Sequence, residues 1–115
     1  MNHKEVNATI AKHLFGWSEG RLKLESKMIP EYTTDIAAAM MALDRLRSMV
    51  LMVDILLDDQ VCVAINMIDK DHNHLSFGSI SKLPNTSKAT ADAITQAIIK
   101  TLVARGDISQ TSGPK

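Results

Sequence analysis

Residues 49–80, MVLMVDILLDDQVCVAINMIDKDHNHLSFGSI, decide the fold. Met49 to Leu57 and Val61 to Ile68 are two apolar runs rich in β-branched residues, and the interruption between them, Asp58-Asp59-Gln60, is short enough for a hairpin turn. A polar turn from Asp69 to His74 precedes a third run, Leu75 to Ile80. Links this short join antiparallel neighbours. Both runs are apolar at odd and even positions alike, which predicts a sheet covered by helices on both faces and disfavours one with a wet face.

The segments on either side supply the helices. Val6, Ile10 and Leu14 recur every four residues, Asn2 stands three residues before Glu5 like a capping box, and Gly16 follows; a helix over 4–15 is predicted, with Trp17 as the hydrophobic anchor behind it. From Ser18 to Met28 the weak alternation Arg21-Leu22-Lys23-Leu24-Glu25 suggests a short edge strand or an irregular arm. Pro30 disfavours helical geometry at Ile29; Thr33 or Thr34 offers a capping hydroxyl, and Asp35 places negative charge at the positive end of a helix dipole. The helix that starts there shows Ile36, Ala39, Met40, Leu43, Leu46 and Val50 as its apolar stripe. Its alanines permit close approach to a neighbouring sheet or helix. Beyond Pro84, Thr86 or Ser87 caps a last helix reaching Ala104, with Ile94, Ile98 and Leu102 on one stripe and Gly106 as its stop. Ile36→Asp and Ile98→Asp are both expected to bury a charge and destabilise the fold. The reading is one α/β domain over 1–106, an α/β/α sandwich of about three mainly antiparallel strands and three helices, with a flexible tail over 107–115.

Composition removes several functional classes. Thirteen basic and thirteen acidic residues among 115 give no net charge, so generic nucleic-acid binding is not expected. Cys62 is the only cysteine and lies among apolar residues, as a small buried hydrophobe of a reducing compartment does. The start, MNHKEVNATI, lacks the apolar core of a signal peptide, and no apolar run is long enough to span a membrane. A cytoplasmic protein is therefore the expectation.

No catalytic constellation emerges. Asp69-Lys70-Asp71-His72-Asn73 begins like a calcium loop, but His74 replaces the turn glycine and Ile80 the bidentate glutamate. His72 and His74 form a solvated turn rather than a metal site, and no glycine-rich phosphate loop is present. Cys62 has no neighbour in sequence to activate it. No catalytic residue, metal site or cofactor is expected.

The chain resembles the phage ABA sandwich domain family of small phage and prophage proteins. The residues that carry the resemblance are Gly16-Trp17, the string Ile29-Pro30-Glu31-Tyr32-Thr33-Thr34-Asp35-Ile36-Ala37-Ala38-Ala39, and the Ala97-Ile98 face of the final helix. It spans roughly residues 5–105; Met40 stands where members typically have Trp, and Ile98-Ile99-Lys100-Thr101 where they typically have a Cys-Arg-Ala-Ala-like segment. The resemblance implies an α/β/α sandwich of phage origin and no known enzymatic activity, and it makes the expected cytoplasm that of a bacterial host. The expected function is a non-catalytic protein that binds and inhibits a host defence component, either a protein or a sequestered nucleotide signal. A phage assembly accessory or a small hydrolase are the alternatives. Trp17, Arg21, Tyr32 and Thr34 are the candidate contact residues, because an aromatic pair and helix-mouth donors flank a charged arm. Met28, Met41, Met49 and Met52 exceed what one modest core hides, so a homodimer is expected.

Overall fold

The computed structural model describes residues 2–49, 52–57, 61–68, 71–81 and 87–106. Val50, the turn at 58–60, Asp69, Lys70, Pro84, Thr86 and the tail 107–115 lie outside these residues. Three strands, β1 (Met52–Leu57), β2 (Val61–Ile68) and β3 (His74–Ile80), form an antiparallel sheet in the order β1-β2-β3. Four α-helices accompany it among the described residues: α1 (His3–Phe15), α2 (Glu19–Leu24), α3 (Ile36–Leu46) and α4 (Ser87–Ala104). The result is a small α/β sandwich built on an antiparallel three-stranded sheet, the expected fold class.

Local chemistry sets the helix boundaries. The Asn2 side chain accepts the Glu5 N–H at 2.8 Å. Gly16, at φ +72°, turns the chain so that the Trp17 N–H closes back on the Ala11 carbonyl at 3.1 Å. Glu19–Leu24 is helical, correcting the expected strand or irregular arm: Ser18 caps it by accepting the Arg21 N–H at 3.1 Å, and Arg21 pairs with Glu25 one turn on. A 3₁₀ turn over Ser26–Met28 continues the arm. At α3 the cap is Asp35, whose carboxylate accepts the Ala37 N–H at 2.9 Å, and neither Thr33 nor Thr34 fills that role. Residues 47–49 turn as a 3₁₀ helix, so β1 begins at Met52 rather than Met49.

The buried face of α3 also differs from the stripe read in the sequence. Ala38, Ala39, Ala42, Leu43 and Leu46 are buried, whereas Met40 is exposed and Ile36 retains 37% exposure. The small side chains win because α3 packs against α4, where Ala89, Ala93 and Ala97 are fully buried. Two alanine-rich helices gain dispersion contacts by close backbone approach, which a long methionine at the seam would prevent. The α4 stripe is as predicted: Ile94, Ile98 and Leu102 are buried, and Ala91, Thr95 and Thr101 on other sides are buried too. Helix α4 lies against β2 and β3, α3 against α4, and α1 against both helices.

Among the described residues the helices cover one face of the sheet, which corrects the expectation of cover on both. Along β2, Val61, Val63, Ile65 and Met67 are buried, while the intervening Cys62, Ala64 and Asn66 are half-buried and Ile68 is exposed. The register aligns Met52 with Asn66 and Ser76, Asp54 with Ala64 and Gly78, and Leu56 with Cys62 and Ile80. These residues share the face that α4 does not occupy.

Candidate functional site

Of the residues expected at the contact site, Tyr32 and Trp17 have different fates. Tyr32 retains 3% of its surface and stacks on Phe15, with ring centroids 5.7 Å apart. The Arg45 guanidinium lies over the other partner, Phe15, at 5.5 Å, and its Nε donates to the Leu14 carbonyl at 2.9 Å. One arginine thus serves an orphan carbonyl of the α1 terminus and an aromatic face together. Tyr32, a contact candidate from the sequence, is a core residue at the junction of α1 and α3. Thr34 beside it is half-buried, and its N–H donates to the Glu31 carbonyl at 3.1 Å.

The same junction has a polar clasp. Asn7, buried on α1, accepts the Thr33 N–H at 3.1 Å and donates to a Glu31 carboxylate oxygen at 3.4 Å. Thr33 Oγ1 is buried without a hydrogen-bond partner among the described residues. Burial also raises the Tyr32 phenol above its ordinary value. The unfolded chain, with its phenol near the usual value of about 10, then loses its proton first as pH rises. The contribution of Tyr32 is therefore complete below pH ~10 and is lost as pH climbs through the raised folded-state value. Tyr32 is the only tyrosine, so alkaline titration at 295 nm should show its ionisation delayed until unfolding begins. Tyr32→Phe should remove this component of the alkaline transition; ionisation at the ordinary value in the folded protein would contradict its burial.

Trp17 and Arg21 come together at the surface. The Arg21 guanidinium lies 3.8 Å from the Trp17 ring centroid and its Nε is 3.3 Å from Glu25. Trp17 is half-buried, with its inner part against the core. Lys12 reaches Glu19 at 2.6 Å, and this hydrogen bond holds the Glu19 carboxyl below the usual carboxylate range. Neither α2 nor the 3₁₀ turn after it buries a residue, and Leu24 and Met28 are 88% and 70% exposed. Met28 is among the methionines read as surplus to the core, whereas Leu24 was not singled out in the sequence. The signal available for Leu24 was the Ser18 cap, which starts the helix at Glu19 and leaves Leu24 off the inward side that Leu22 occupies.

A second candidate lies on the open sheet face. Ala64 and Gly78 form the floor of a shallow trough of about 600 Å³, with Leu56, Cys62 and Ile80 along one wall. Asp54 borders it on the β1 side. Lys100 of α4 borders it on the β3 side, where its ammonium donates to the Gly78 carbonyl at 2.6 Å. The sequence held a clue to this face: Asp54, Asn66 and Ser76 fall on it together once the register is known.

His72, at φ +65°, and His74 are exposed at the β2–β3 turn. Among the described residues no three His, Cys, Asp or Glu side chains gather as a metal site would require. Among them, too, no helix is long and apolar enough to cross a membrane. Comparison with protein-family models, curated proteins and solved structures yields no match.

Proposed function

We propose that this chain is a small non-catalytic phage or prophage protein that binds and inhibits a host defence component, with the arm over residues 17–28 as its contact. The observation that carries the reading is the arm itself, a helix and a turn with no buried residue that display Leu24 and Met28 beside the Arg21–Trp17 pair. Fully burying one such apolar side chain is worth about 1.5–3 kcal/mol, and cation-stacked tryptophan is characteristic of the residues that dominate binding energies. The phage-related origin rests on the resemblance of residues 29–39. A protein partner suits the arm better than a nucleotide, since Leu24 and Met28 require an apolar counterpart. Thr34 and Tyr32 support the site from the α1–α3 junction, with Tyr32 beneath the surface.

The test combines Arg21→Glu with Leu24→Asp. Both side chains are exposed, so the thermal transition by circular dichroism should stay within a few degrees of the parent. Protection of phage in a defended host, and copurification of the host factor, should fall at least tenfold, as expected for loss of about 1.4 kcal/mol or more at a contact centre. Full protection by the folded double variant would exclude the arm as the contact, and multiple turnover of any substrate would exclude a purely binding mechanism.

A further inference from the structure

The geometry points to a second copy of this chain as the occupant of the open sheet face, in a symmetric pairing that sets Asp54 of each copy against Lys100 of the other. This does not rest on the arm or on the identity of any host factor. Met52, Leu56, Ile68 and Ile80 are between 48% and 62% exposed on this one face. The edge strands make the row Leu56–Cys62–Ile80 apolar from one side of the sheet to the other. The next row, Asp54–Ala64–Gly78, has almost no side-chain bulk at its centre, and its two ends carry opposite charges, Asp54 and Lys100. Small residues at the middle of a face permit the close approach that aligned sheet packing at about 10 Å needs.

Charge decides between the two simple ways of facing this sheet with its copy. A twofold axis across the strands would bring Asp54 against its own counterpart and Lys100 against its own, two repulsive contacts. It would also lay the apolar row over Met52–Asn66–Ser76. A twofold axis parallel to β2 places β1 of one copy over β3 of the other. Then Leu56 meets Ile80, Cys62 approaches its own counterpart, and Asp54 meets Lys100 twice. Of the two, only this arrangement lays the apolar row over itself and sets unlike charges together, as an isologous interface requires.

The size of the face sets the strength. Three strands about 4.8 Å apart and six residues long, at about 3.3 Å each, present roughly 15 by 20 Å. That is less than the ~800 Å² per partner of a standard stable interface, so association is weak and concentration-dependent. It supplies a function for exposed apolar residues that the arm does not involve.

Sedimentation velocity from 10 μM to 1 mM should show the full chain passing from monomer to dimer. Asp54→Lys alone and Lys100→Glu alone each place like charges at both symmetric contacts and should weaken the dimer about tenfold or more. An equimolar mixture of the two variants should restore association to within about threefold of the parent, because a mixed pair has complementary charges at both contacts. Rescue on mixing separates pairing between copies from an interaction inside one chain. A parent monomeric at 1 mM, single variants that dimerise as the parent does, or a mixture that stays monomeric would each overturn the proposal. Ile80→Asp provides a charge-independent check: it too should abolish the dimer, while the melting transition confirms folding. Unchanged dimerisation of that variant would equally count against this face.

Discussion

Ile98→Asp should unfold the protein or lower its stability by about 4 kcal/mol or more, combining the lost burial of a large aliphatic side chain with an unpaired carboxylate in the core. Ile98 is fully buried on α4, the helix that meets the sheet on one side and α3 on another. Domains of this kind have roughly 5–15 kcal/mol in total, so the loss is a large fraction of the whole. Ile36→Asp, expected from sequence to be equally damaging, should instead stay within about 1 kcal/mol of the parent. Ile36 stands at the first position of α3 and is partly exposed. A carboxylate there meets the positive end of the helix dipole. Urea denaturation of the two variants side by side reads the difference. Equal midpoints would mean that the face assigned to α3 is wrong.

Asn7→Leu is expected to cost about 1–3 kcal/mol, the penalty for a buried backbone donor left without an acceptor. The Asn7 side chain is the acceptor for the Thr33 N–H and also touches Glu31. It therefore fixes the chain before α3 to the middle of α1. Leucine is of similar size but cannot accept the proton, so the effect isolates the hydrogen bond from the packing. Asn7→Asp keeps the acceptor and should recover part of the loss. Hydrogen exchange at Thr33 offers a local readout: its amide should exchange faster in Asn7→Leu well below the global transition. An unchanged Thr33 rate would show that this bond is not what orders the segment.

The parts of the fold legible in the sequence were those where one local signal stood without competition. β2 matches its predicted limits because Val61 to Ile68 is a dense β-forming run between polar turns, and α1 is framed by Asn2 and Gly16. The arm was misread because Arg21-Leu22-Lys23-Leu24 alternates like a strand over four residues, too short a window to separate period 2 from period 3.6. At α3 the apolar pattern pointed to Ile36 and Met40, yet alanine carries little hydrophobic weight in such a pattern and dominates the observed packing seam. The open face was hidden for a different reason. Val61 to Ile68 is apolar at both parities, and only the cross-strand register shows that one parity is left outward. Of the site, Trp17 and Arg21 were identifiable and proved adjacent, whereas Tyr32 is stacked on Phe15, which only the fold brings to it.

Helix α4, enclosed by the sheet and by α3, also dictates when the molecule can assemble during synthesis. The strands and the first three helices leave the ribosome before residues 87–104, yet the faces they must bury are covered by that later helix. Without that helix the apolar inner face of the meander stays in water, and the burial that stabilises it is missing. Until Leu102 is free to dock, the nascent chain carries Val63, Ile65 and Leu46 uncovered. Its folding is thus deferred until α4 has emerged, and in that interval its apolar strands are most open to chaperones and to misassociation.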